Sequence, residues 1–191
     1  IYKKIKKEMI NDKKIYFNVS AGNFFLGSNS IHIIDLFLFI SNQLSINLNC
    51  KNLEKNIYKS KRKNFLELAG TLTGKSTRGD ILNITSYHNS NLPFLLTIIS
   101  KNQQHLVTYQ NNKLILQSCY YKKNWSIFKS TFKIPMTSKV LTNVTRNIID
   151  HKNCSLPSLE KSFVYHKSMI SSFTRHINKY SNIKYSKCPI T

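Results

Sequence analysis

The sequence predicts an α+β domain built on a mostly antiparallel, open sheet, a meander of about six strands covered by helices. Three observations predict it. Between residues 65 and 133, short β-rich segments follow one another about ten residues apart, broken by Gly, Asn, Pro or Lys. The segments on either side of that stretch carry helical periodicity instead. Of the 191 residues 41% are apolar, with 11 Phe and 10 Tyr, enough for one packed core.

The β-rich segments are "FLELAGTLTG", "GDILNITSYH", "PFLLTIISK", "QHLVTYQ", "KLILQSC" and "WSIFKSTFK". In the second, Leu82 and Ile84 alternate with Asn83 and Thr85, so one face is covered and the other partly open. Ahead of them, residues 1 to 11 read as a basic helix with Ile1, Ile5 and Met9 on one stripe. "KIYFNVS", 14 to 20, reads as a strand, and a helix is expected from about 29 to 44, capped by Ser28 or Asn29. The polar, basic "LNCKNLEKNIYKSKRKN", 48 to 64, reads as a short surface helix or loop. After Pro135, "SKVLTNVTRNIIDHK" reads as one helix. A longer one follows, with Pro157 in its first turn and an apolar stripe of Leu159, Phe163, His166, Ile170, Phe173 and Ile177.

A formal charge of +21 raises nucleic-acid binding as a function. Arg, the better fork for phosphate and guanine, stands only at 62, 78, 146 and 175. The lysines are scattered apart from "YKKIKKE" and "YKSKRKN", so nucleic acid is disfavoured as a partner. Cysteines 50, 119, 154 and 188 lie far apart with no CxxC pair, so neither a metal site nor a disulfide framework is expected. A reduced cytoplasm fits. The longest apolar runs reach about ten residues, too short for a membrane span, and no signal peptide is recognised. "AGTLTGKST" has the end of a phosphate loop, but Gly70 is one residue too near and the segment lies between strands, so it reads as a hairpin turn.

Chemistry concentrates in "NFFLGSNSIHIIDLFLFI", residues 23 to 40. His32 falls in the first turn of the expected helix, where exposed amides favour a neutral imidazole able to exchange a proton. Asp35, three residues on, lies on the same face and would fix the ring's orientation. A buried His–Asp pair is the structural alternative. His166 is read as a buried structural histidine or the border of a pocket. His88, His105, His151 and His176 sit in polar settings and read as solvated.

"GNFFLGSNSIHIIDLF" resembles the opening of the substrate domain in Gfo/Idh/MocA-family oxidoreductases. "LTNVTRNIID", "NCSLPSLEKSFVYHKSMISSF" and the terminal "CPIT" are similar to the end of the branch found in surface-polysaccharide gene sets. The resemblance implies the second domain of a two-domain dehydrogenase, with residues 1–13 a connecting helix and 14–191 one substrate-binding and dimerisation body. NAD or NADP would be bound mainly by a Rossmann domain absent from this chain. It further implies hydride transfer between nicotinamide and a sugar or nucleotide-sugar in surface-glycan synthesis. His32 would be the acid/base, with Asp35 orienting it, and Ser28, Asn29 and His166 would be substrate contacts. Alone, the chain is expected to be inactive. A homo-oligomer is expected through the open sheet face. A basic nucleic-acid module and a degenerate remnant of the dehydrogenase fold are the alternatives.

Overall fold

The computed structural model describes residues 1–121, 124–151 and 156–190. Its centre is an eight-stranded sheet in the order β10-β9-β8-β7-β1-β6-β5-β2. The strands are β1 (Tyr16–Gly22), β2 (Ile46–Leu53), β5 (Gly70–Ser76), β6 (Ile81–Tyr87), β7 (Leu95–Ile99), β8 (Gln103–Gln110), β9 (Lys113–Tyr121) and β10 (Trp125–Lys133). A two-stranded hairpin of β3 (Tyr58–Lys59) and β4 (Leu66–Glu67) stands apart. The helices are α1 (Tyr2–Met9), α2 (Leu26–Ser41), α3 (Thr137–His151) and α4 (Leu159–Tyr180).

The α+β class and the open, mostly antiparallel sheet match expectation, and each of the six β-rich segments carries one of β5 to β10. Three corrections concern the sheet. It is not a simple meander, because β1 lies in its middle, parallel to β6 and antiparallel to β7. Residues 46–53 form an edge strand, where a helix or loop was expected. Ile46 and Leu48 face inward and Asn47 and Asn49 face out, but a bulge between Asn49 and Asn52 then breaks the alternation. "TLTGKS", read as a hairpin turn, is instead strand β5; the turn into β6 follows it, through Gly79 at φ +95°.

One sheet face is packed. Phe17, Val19, Leu72, Leu82, Ile84, Leu96, Ile98 and Val107 point to it, and Ile33, Ile34 and Phe37 of α2 cover them. Phe17 and Phe37 meet edge to face at 5.8 Å. Ile5 and Met9 of α1 are fully buried in the same core, as their stripe predicted. On α4 the stripe is rotated from expectation. Tyr165, Met169, Ser172, Phe173, His176 and Ile177 are buried, whereas Leu159, Phe163 and Ile170 are exposed. Pro157 lies outside the helix, ahead of the cap, where the Ser158 hydroxyl accepts from the Lys161 amide at 3.4 Å. Along α3, Val140, Leu141, Ile148 and Ile149 are all exposed.

Two histidines read as solvated are buried. His176 reaches the Glu54 carbonyl through Nε2 at 2.9 Å. His105, on β8, is fully buried between the sheet and α1. Its Nδ1 lies 2.9 Å from Ser118 Oγ, and its Nε2 stands 3.6 Å from Glu8 Oε2, which also accepts from Tyr120 at 2.8 Å. His88 is half-buried and stacks on Tyr58 at 3.7 Å. The side chain of His151, and Cys154, lie outside the described residues. Cys50, Cys119 and Cys188 are free thiols, and burial pushes Cys50 up to about 11.

Burial holds the pKa of His105 below its ordinary value, outweighing the pull of Glu8 and Asp12, while Lys4 adds to the depression. The unfolded chain therefore binds this proton more readily than the folded one, and stability declines as pH falls below about 6.5. His105→Gln is expected to lower the melting temperature at neutral pH and to flatten its fall between about pH 7 and pH 5.5. Thermal unfolding across that range checks it, and an equally steep fall in the variant would refute it.

Candidate functional site

Strand β1 enters α2 through a tight turn. Asn23 and Phe25 adopt positive φ, 47° and 57°. For a bulky side chain this costs about 1–3 kcal/mol and persists where the surroundings hold it. They do. Gly22 N–H donates to Leu92 O at 2.9 Å, Asn23 N–H to Tyr87 O at 2.8 Å, and Leu26 N–H to Leu68 O at 3.2 Å. The Phe25 amide donates to Ser86 Oγ at 3.2 Å. A Cβ at Gly22 would stand 2.1 Å from the Ser90 carbonyl, so only glycine fits there. Helix α2 thus starts three residues earlier than expected, with Phe25 and no side-chain bond at its cap.

That shift moves the candidate residues. Ser28 and Asn29 are helical residues rather than caps, and His32 lies in the second turn, beyond the end amides invoked for it. Ser28, Asn29 and His32 nevertheless line one hollow of about 490 Å³, opposite the β3–β4 hairpin. Phe25, Lys59, Ser60, Lys61, Arg62 and Glu67 complete it. The Ser28 hydroxyl donates to Glu67 Oε1. Asn29 donates through Nδ2 to the Phe24 carbonyl, and to that of Phe25 at 3.3 Å, closing the turn from inside. His32 is exposed, and among the described residues no hydrogen bond or ion pair engages it.

Glu67 was not singled out from the sequence. It is 2% exposed, and its Oε2 has no partner among the described residues. A Cβ on Gly27 would stand 2.7 Å from that oxygen, so the carboxylate presses on the start of α2. There it faces the positive end of the helix dipole. Its signal in the sequence was faint: one acid between two leucines in a short strand, bonded to a serine 39 positions away.

The remaining candidates are not gathered with these. Asp35 lines a neighbouring hollow of about 620 Å³, which His32 also lines, together with Tyr165 and Lys161. Burial, then the Asp35 carboxylate, pushes the Tyr165 phenol up. Among the described residues no bond joins Asp35 to His32, so an orienting contact is not formed. His166 lines neither hollow. It is half-buried, its ring 5.2 Å from that of Tyr165.

No family model and no curated protein matches this sequence. Solved structures do superpose on it. Levoglucosan dehydrogenase in complex with NADH matches with a TM-score of 0.60 at 11% identity, over 94% of this chain and 60% of that one. UDP-N-acetylglucosamine 3-dehydrogenase from Acidithiobacillus ferrooxidans matches with a TM-score of 0.55 at 10% identity, over 83% and 52%. What these matches share with the chain is the fold, carried over a little more than half of each dehydrogenase. A super-repressor mutant of Gal80p from Saccharomyces cerevisiae also matches, with a TM-score of 0.54 at 10% identity, over 96% and 62%. The chain therefore spans roughly half to three-fifths of the length of these structures. No helix among the described residues is long and apolar enough to cross a membrane.

Proposed function

We propose that these residues form the sugar-binding part of an NAD(P)-dependent oxidoreductase. Its substrate would be a sugar or nucleotide-sugar of surface-glycan synthesis in the cytoplasm. The observation that carries this reading is the hollow itself. It joins an exposed, unengaged imidazole to a buried carboxylate with a free acceptor oxygen, on the fold that sugar dehydrogenases share. His32 exchanges the proton of the reacting hydroxyl. Glu67, Ser28 and Asn29 hold neighbouring hydroxyls. Asp35 and His166 play no direct part.

A nicotinamide dinucleotide is the cofactor the fold implies, and the described residues do not form a cradle for it. The strand–turn–helix unit nearest to one is β1–α2. Its turn amides are committed to protein acceptors, and the Glu67 carboxylate stands beside the start of the helix, where a pyrophosphate would otherwise bind. No hydride step is therefore derived from these residues; they bind, orient and exchange a proton. In the same reading residues 1–13 connect to a cofactor-binding unit, 14–191 form the substrate body, and two copies associate through the open sheet face.

Joined to a dinucleotide-binding domain of this dehydrogenase type, the protein is expected to reduce NAD or NADP only when a sugar is supplied. Absorbance at the nicotinamide band across a sugar panel measures it. A correctly folded fusion inert to every sugar would leave the remnant reading in its place. One observation favours a basic nucleic-acid module instead: Lys51, Lys75, Arg175 and Lys179 line a hollow of about 680 Å³ that no carboxylate of the described residues borders. Duplex binding that falls steeply with salt is its distinguishing behaviour.

A further inference from the structure

The chemistry of the hollow is not uniform, and its two ends ask for different groups. On the α2 side stand Ser28, Asn29, His32 and the buried Glu67, whose Oε2 accepts no hydrogen bond among the described residues. A carboxylate oxygen left without a donor in a site 2% exposed is costly, and a ligand hydroxyl is the natural donor for it. On the hairpin side stand Lys59, Lys61 and Arg62, three cations in four consecutive residues. From 55 to 66 the chain carries no acid at all. Among the described residues the one acid lining the hollow, Glu67, is engaged by Ser28 at the opposite end.

These cations stand on an ordered support. The hairpin tip is closed by Ser60 N–H to Phe65 O at 2.9 Å and Phe65 N–H to Arg62 O at 3.3 Å. The Arg62 amide donates to Ser60 Oγ at 3.3 Å. Lys61 lies over the Phe25 ring, 5.9 Å from its centroid, so its stem borders the mouth of the hollow. About 490 Å³ is within the range of sites for ligands of monosaccharide size and larger.

Building on the sugar reading, we propose that the hollow selects a phosphate-bearing sugar. The phosphate sits against Lys59, Lys61 and Arg62, and the ring hydroxyls point to Glu67 and Ser28. Arg62 supplies a planar fork and the lysines supply point charges, the combination suited to a phosphate dianion or a diphosphate. Glu67 repels an anion placed at its own end, which fixes the direction of the ligand: phosphate outward to the hairpin, sugar inward to α2. The same phosphate chemistry could belong to a dinucleotide, so the test separates the two sources.

Titration calorimetry on the protein, with a neutral monosaccharide, its 1-phosphate, a nucleoside-diphosphate sugar, pyrophosphate and NADP as probes, decides it. The phosphorylated sugars are expected to bind at least about tenfold more tightly than the neutral one. The triple variant Lys59→Ala, Lys61→Ala, Arg62→Ala should abolish that preference. A control of equal charge change, Lys51→Ala, Lys75→Ala, Lys179→Ala, should keep it. Glu67→Gln should weaken the sugars and leave pyrophosphate unchanged. The triple variant alters only exposed side chains, and its melting temperature confirms folding. A preference equal in both triple variants, or a hairpin variant that loses NADP but not the sugar phosphate, overturns the proposal. Neutral-sugar binding without any phosphate preference overturns it and leaves the sugar reading standing. No binding of any sugar removes both.

Discussion

In the proposed reading, His32→Ala is expected to lower turnover of the chain joined to a dinucleotide-binding domain by about 10²–10⁴-fold while moving its melting temperature by little. The size follows from losing a positioned proton exchanger. The unchanged stability follows from position: the ring is exposed and, among the described residues, bonds to nothing, so its removal opens no cavity and strands no polar partner. Asp35→Asn is the informative companion. If Asp35 held the imidazole in place, it would lose much of the same activity. It lines the neighbouring hollow beside Tyr165 without a bond to His32, so the expected loss is under about threefold. Steady-state kinetics with calorimetric melting separate the two variants. Unchanged turnover in His32→Ala would end the assignment of the proton to that residue.

Asp80→Ala is expected to destabilise the fold by about 3–5 kcal/mol, a large part of what a domain has. Its carboxylate is wholly buried and gathers the Ile15 amide at 2.9 Å, the Ser76 hydroxyl at 2.7 Å, and Arg78 through Nη2 at 2.9 Å and Nε at 3.1 Å. Alanine leaves an N–H donor without its acceptor and a partly buried guanidinium without its counter-charge. The bonds also join three places in the chain: the entry to β1, the end of β5 and the start of β6. Urea unfolding measures the effect, read at constant slope. A loss below about 1 kcal/mol would show that water replaces the carboxylate there.

Sequence alone located β5 to β10 because each is a short apolar alternation with its own breaker, and that signal is local. It also brought Ser28, Asn29 and His32 together, since the first two stand four and three residues before the third and so share its face wherever the helix begins. Pattern failed where burial is decided by distant partners. The buried face of α4 includes Ser172 and His176, which cost little there because Glu54 offers a carbonyl to the imidazole. An apolar count therefore favoured Leu159, Phe163 and Ile170, which face outward. His105 did carry a usable sign: it stands two residues before Val107 in β8, and period-two alternation puts both on the packed face. The sign that Glu67 carried was too faint to use, because what defines it is a serine on another element and an oxygen without a donor among the described residues.

The central place of β1 bears on the order in which the protein assembles. Tyr16 pairs with Ile81 on one side and Ile99 on the other, so a segment made early waits for neighbours made much later. The β5–β6 hairpin and the run from β7 to β10 need only nearby chain and close first. Until β1 slots between them, β6 and β7 present open ladder edges that carry Leu82, Ile84, Leu96 and Ile98. Such edges pair with any available strand, including one from another molecule. Threading β1 is thus expected to be the slow step of folding, and the interval before it the one in which the newly made chain most needs shielding from its own copies.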